Sequence, residues 1–175
     1  MKKIFKKNII RKIKNYNQKS RNEFKETMSD LLSHEQLRRL GNYKQHVKST
    51  RLEHSIDVAY YSFYIAKLFN LDYISTGKAG LLHDFSFHEN QGFRKNMKML
   101  RQHPKDALKN ALKICDLSEK ECDIIIRHMW LLTLRPPKYT EGYIVSFVDK
   151  YCAAKEFFKG VFIRKRKSLY TARRF

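Results

Sequence analysis

The chain has 175 residues, room for one domain of roughly 100–200 residues with extensions, and 42% hydrophobic with 13% aromatic content excludes wholesale disorder. Six glycines and three prolines are few for a fold of many tight turns, which argues against a β-sandwich and for an all-α domain. The net charge of +20 sits mostly at the ends: residues 1–25 hold ten Lys/Arg against Glu23 alone, and 155–175 hold eight against Glu156 alone. Such ends stay solvated or meet something anionic, whether nucleic acid, ribosome or acidic lipid, and do not define the fold.

In chain order, Ile4, Phe5, Ile9, Ile10 and Ile13 recur among lysines at helical spacing. This predicts a basic amphipathic segment over 1–19, laid on the domain itself, on a membrane surface or on RNA. Ser20 is a candidate cap for a helix over 21–32, and Ser33-x-x-Gln36 for a short one ending at Leu40, before Gly41-Asn42 breaks the pattern. Thr50-x-x-Glu53 opens a helix over 51–69. Its stripes Leu52, Ile56, Ala59, Phe63, Ala66 and Val58, Tyr61, Ile65, Phe69 cover most of its girth, as in a central buried helix. A helix over 73–83 ends in Leu81-Leu82-His83-Asp84, with Ala79 and Gly80 behind it where a neighbour could approach closely.

The stretch 85–102 is polar and irregular, and Pro104 is expected to start a helix to Cys115. Ser118-x-x-Glu121 caps another to Trp130. Arg135-Pro136-Pro137 forces an extended linker, and a last helix covers 140–158. The domain therefore spans 20–160, with 161–175 as a basic tail. There is no internal repeat, heptad pattern or period-two run. No apolar run reaches the roughly 18–20 residues a membrane span needs, and the charged start lacks the apolar core of a secretion signal. Cys115, Cys122 and Cys152 form no CxxC pair and read as buried thiols in a reducing cytoplasm.

Several polar residues stand where the helical pattern asks for apolar ones. His54 shares a face with Val58, Tyr61 and Ile65; His128 lies one turn after Ile124 and Ile125; Asp149 is flanked at helical spacing by Val145 and Cys152. A buried carboxylate needs a partner to offset its desolvation. One such histidine is an ordinary core residue, but several imidazoles and carboxylates converging in a helical core are a recurring way to hold divalent metals. His46 is a candidate substrate contact and His88 a candidate proton donor, although an ordinary loop residue explains His88 better. His34 reads as surface, Tyr60, Tyr61 and Tyr64 as helix packing, and Trp130 as pocket wall or core.

The order His54 … His83-Asp84 … Asp149 resembles the signature of the HD superfamily of helical metal-dependent phosphohydrolases. The context sharpens the likeness: Arg51-Leu52-Glu53-His54-Ser55 opens one helix, Leu81-Leu82-His83-Asp84 closes the next, and Val148-Asp149-Lys150 lies in the last. With His103-Pro104 and Arg127-His128 the resemblance covers 45–155. It implies that His54, His83, Asp84 and Asp149 surround one divalent metal. It further implies that His103 and His128 hold a second, Asp84 bridging both as the residue on which catalysis depends.

The Glu-Asp dyad of guanosine tetraphosphate hydrolases and the GYP segment of cyclic-di-GMP phosphodiesterases are both missing, which argues against those two activities. The six-ligand set looks more like the bacterial HD hydrolases of diadenosine tetraphosphate. The implied reaction is hydrolysis of a phosphoester or phosphoanhydride, in a nucleotide or dinucleoside polyphosphate, by a metal-bound hydroxide. Fe, Mn, Co, Zn and Mg are not distinguished. Arg51 and Lys150 are the candidates to meet phosphate, although Lys150 could equally face solvent. Two other classes stay open: a di-iron oxygenase on the same ligand set, and an RNA-binding module whose metal serves structure.

Overall fold

Two capping boxes set the frame. Thr50 Oγ1 accepts from the Glu53 amide (3.2 Å) while Glu53 Oε2 accepts from the Thr50 amide (2.8 Å); Ser118 and Glu121 repeat the exchange at 3.2 and 2.8 Å. Each box satisfies two of the amides that a helix start leaves open. The computed structural model describes residues 18–44, 49–87 and 97–172, with side chains over 18–44, 49–87 and 101–158. Among them every regular element is helical: α1 (18–27), α2 (Ser29–Ser33), α3 (Glu35–Arg38) running into a 3₁₀ turn (Arg39–Asn42), α4 (Arg51–Leu68), α5 (Tyr73–Leu82), α6 (Met97–Ala111), α7 (Glu119–Arg127), α8 (Trp130–Thr133) and α9 (Thr140–Ala172). The one β feature is an isolated bridge between Lys44 and Thr50. None of the described helices is long and apolar enough to cross a membrane.

α4 lies at the centre, packed against α5 on one side and α9 on another; α5 also packs on α7, and α7 on α6. Its two apolar stripes explain the position. Val58, Ala59, Phe63 and Ala66 are buried, and Leu52, Ile56, Tyr61 and Ile65 pack around the same core. Fully burying a side chain such as Phe63 is worth about 1.5–3 kcal/mol. The two backbones approach closely at Gly80 of α5, where a Cβ would stand 3.1 Å from Ala59 Cα of α4. Tyr60 meets Phe24 edge to face at 5.7 Å and Trp130 meets Tyr143 at 4.8 Å, so both rings serve helix packing.

Several boundaries differ from the sequence expectations. Ser20 is not a cap: it lies inside α1, buried, its hydroxyl without a partner. The expected 21–32 helix breaks at Met28 into α1 and α2. His34, partly exposed, takes the capping role expected of Ser33, its Nδ1 accepting from the Gln36 amide at 3.3 Å.

α6 begins seven residues before Pro104, which sits inside it. The missing N–H costs one rung, but buried Ala107 and Ala111 hold the helix to the core. α7 stops at Arg127 instead of reaching Trp130. The His128 carbonyl is taken by Ser146 Oγ (2.8 Å) and Lys150 Nζ (3.0 Å) of α9, and the Leu132 amide bonds Met129 O instead.

α9 does not end near 158 but continues to Ala172; its second half holds no proline, and Gly160 is the weakest helix former there. Only Cys152 is a buried thiol; Cys115 and Cys122 are half-buried, and all three are free. Residues 1–17, His46 and His88, with the roles expected for them, lie outside the described residues.

Candidate metal centre

Five helices each deliver one part of the centre. His54 is the fourth residue of α4; His83 is the C-cap of α5, with Asp84 next; His103 lies in α6; His128 is the C-cap of α7; Asp149 lies in α9. Ligand-type atoms of His54, His83 and Asp149 lie within 4.8 Å of one another, as do those of Asp84, His103 and His128. An ion bound at about 2.0–2.2 Å places its ligand atoms roughly 3–4 Å apart, so both trios are of a size that could hold one. The trios adjoin: the rings of His83, in one, and His128, in the other, are 5.0 Å apart.

Every imidazole is oriented in the same sense. Nδ1 of His83 stands 2.7 Å from Gly80 O, and Nδ1 of His128 2.7 Å from Ile125 O, each a carbonyl one turn back at a helix end. Nδ1 of His103 is 3.1 Å from Ser86 Oγ, and Nδ1 of His54 is 2.9 Å from Glu156 Oε1. A carbonyl or carboxylate can only accept, so Nδ1 carries the proton in His83, His128 and His54. Nε2 then faces inward. His54 Nε2 lies 3.1 Å from Asp149 Oδ1, His103 Nε2 contacts Asp84 Oδ1, and His83 Nε2 is 3.6 Å from Asp149 Oδ1, beyond hydrogen-bond reach. Nε2 of His83 and of His128 are buried without a hydrogen-bond partner.

Electrostatics follow from this packing. Burial disfavours the charge on Asp84, but the imidazole of His103, with His83 and His54, outweighs it and holds the carboxyl well below the usual range. Asp149 is likewise held well below the usual range, against its own burial, by His54 and His83. For His54, burial favours the neutral ring, yet the Asp149 and Glu156 carboxylates together raise it to about 10. His128 goes the other way: burial, then the neighbouring rings of His83 and His103, push it down to about 3. Without a cation the centre therefore carries an imidazolium at His54 and a neutral His128.

The structure brings together all six residues that the sequence pattern singled out. Their openness differs: the side chains of Asp149 and His103 are 15% and 16% exposed, whereas His54, His83 and His128 are buried. Lys150 stands at that open side, half-buried, its Nζ donating to His128 O and Ser146 Oγ and lying 3.4 Å from Asp149 Oδ2. Arg51 is 2% exposed and donates to the carbonyl and hydroxyl of Ser86, on the Nδ1 side of His103. Two contributors escaped the sequence pattern, Ser86 and Glu156. Glu156 follows Asp149 by seven residues, two helical turns, and that spacing was the available signal. No protein-family model matches the chain, and neither a curated protein nor a solved structure matches it.

Proposed function

We propose that the chain is a metal-dependent phosphohydrolase of the HD type, acting on a phosphoester or phosphoanhydride in a nucleotide or dinucleoside polyphosphate. The observation that carries the reading is the shared orientation of four imidazoles, each with Nδ1 engaged outside the centre and Nε2 turned inward beside Asp84 or Asp149. This is how proteins prepare histidines as metal ligands. The two buried Nε2 atoms without partners support it further, because such an atom costs about 1–3 kcal/mol unless something completes it. A His₄Asp₂ donor set fits borderline divalent cations.

Divalent cations bound there would supply Lewis acidity, bringing the pKa of water toward neutrality and offsetting charge on phosphate oxygens. The residues of the chain do the rest. His54, His83 and Asp149 would hold one ion and Asp84, His103 and His128 the other, with Asp84 at the junction of the trios. The partly exposed side chains of Asp149 and His103 mark the side from which a phosphate would enter. Lys150 supplies a positive charge at that opening. The burial of Arg51 and its bonds to Ser86 favour a supporting place behind His103 over a direct contact with phosphate.

Metal analysis of the purified protein tests the reading, followed by a screen of nucleotides and dinucleoside polyphosphates with Mn, Fe, Co and Mg. Metal-dependent phosphate or nucleotide release is expected. Bound iron whose visible spectrum responds to oxygen, with no hydrolysis, would redirect the reading to a di-iron oxygenase.

A further inference from the structure

α9 contributes to the centre twice. Asp149 and Glu156 project from one face two turns apart and hold the His54 ring between them, Asp149 Oδ1 3.1 Å from Nε2 and Glu156 Oε1 2.9 Å from Nδ1. The His54 side chain is fully buried and that of Glu156 12% exposed. The second Glu156 oxygen accepts from Ser49 Oγ at 2.5 Å, and Ser49 directly precedes the N-cap of the helix that carries His54. Both oxygens of Glu156 are thus tied to the start of α4.

The other three histidines have neutral partners at Nδ1: two main-chain carbonyls and the Ser86 hydroxyl. Among the described residues, only His54 has a carboxylate on that nitrogen. A carboxylate there does two things a carbonyl does less well: it locks the Nδ1–H tautomer, and its negative charge raises the basicity of Nε2 toward a cation.

We propose that Glu156 is a positioning residue that sets His54 as an Nε2 donor and strengthens the hold of the His54–His83–Asp149 trio on its cation. The inference rests on the metal-centre reading given above. Glu156 faces the far side of the ring from the trio, so it acts through His54 and not as a ligand.

The test is titration of the full chain with Zn²⁺ and with Co²⁺ against a chromophoric chelator, for wild type, Glu156→Gln and Glu156→Ala. Glu156→Ala is expected to weaken one ion by about 10–100-fold, the range seen when an outer carboxylate is lost, and to leave any second ion within a few-fold. Glu156→Gln keeps an acceptor for Nδ1–H without the charge, so it should recover part of the loss. It also carries the test if the alanine variant fails to fold. A Co²⁺ visible spectrum altered in Glu156→Ala and restored in Glu156→Gln would report the geometry at His54 directly. Wild type and both variants binding within twofold of one another would overturn the role of Glu156 while leaving the metal centre standing, as would a loss shared equally by two ions. A wild type that takes up no metal would overturn the metal-centre reading and this inference with it.

Discussion

His83 and His128 meet edge to face, ring centroids 5.0 Å apart and planes at 82°, and each repeats the construction of the other. Both are helix C-caps, and both place Nδ1 2.7 Å from the carbonyl three residues earlier. Each thereby satisfies a carbonyl that the helix end leaves open. Both Nε2 atoms are then buried without a hydrogen-bond partner. Two helix ends converge on one point and present the same unsatisfied atom, one to each trio.

That pairing predicts two ions per chain at saturation. Replacing His128 or His103 should lower metal content toward one ion, with the ion at His54, His83 and Asp149 retained. Metal content measured by elemental analysis after desalting checks this; one ion in the wild type at every metal concentration would give His103 and His128 another task.

The α4–α5 contact predicts that Gly80→Ala damages the centre through packing alone. The added Cβ would stand 3.1 Å from Ala59 Cα, a backbone atom in the middle of α4 that cannot swing aside. Overpacking of this kind costs about 1–3 kcal/mol, more than the roughly 0.5–1 kcal/mol that alanine gains over glycine in a helix. Denaturant melts should show net destabilisation. Metal affinity should fall too, because the wedge separates His54 on α4 from His83 on α5.

The pH dependence of the metal-free protein has a definite sign on each limb. His54 is raised from 6.5 to about 10, so its contribution is complete below pH 6.5 and is lost as pH climbs toward 10. His128 is lowered from 6.5 to about 3, so the unfolded chain binds the extra proton in that window and stability falls as pH drops from 6.5 toward 3. Asp84 and Asp149, both held low, add to the acid loss below their ordinary value of 3.8. Melting temperature should therefore peak near pH 6–7, and His54→Gln should flatten the alkaline limb. Metal binding must expel the His54 proton, so affinity should rise with pH from 7 to 9.

The fold class and part of the cluster were legible because they rest on local rules, whereas the full set of six, His103 above all, came only from the resemblance in residue order. Thr50 and Ser118 cap where their spacing says, and His54, His128 and Asp149 interrupt apolar stripes that can be counted in one dimension. The early start of α6 was hidden by Pro104, a residue favoured in a first turn that here sits in a helix interior held by Ala107 and Ala111. The break after α7 was hidden for another reason: its cause is Ser146 and Lys150, which reach the His128 carbonyl from eighteen and twenty-two residues away. Ser86 and Glu156 escaped because serines and glutamates are common in any chain. Only the fold shows that these two face an Nδ1.

The basic ends are expected to be separable from the chemistry. No residue of either trio lies in 1–19 or 161–175, and Glu156 stays within the remainder. A chain cut to 20–160 should keep its turnover within a few-fold, whereas the full chain should bind anionic polymers and release them as salt rises. Lost turnover in a truncated chain that still melts cooperatively would bring an end into the site.

The most direct measurement is the turnover of metal-loaded Asp84→Asn beside wild type on the best nucleotide substrate, with metal content read on the same samples. Asparagine keeps the shape of Asp84 and removes the charge that stands against His103 and interacts with His83 and His54 of the other trio. Losing a ligand should cost more than the roughly 10–100-fold typical of its outer partners, together with metal from one or both trios. Turnover retained at the wild-type rate with both ions bound would contradict the account.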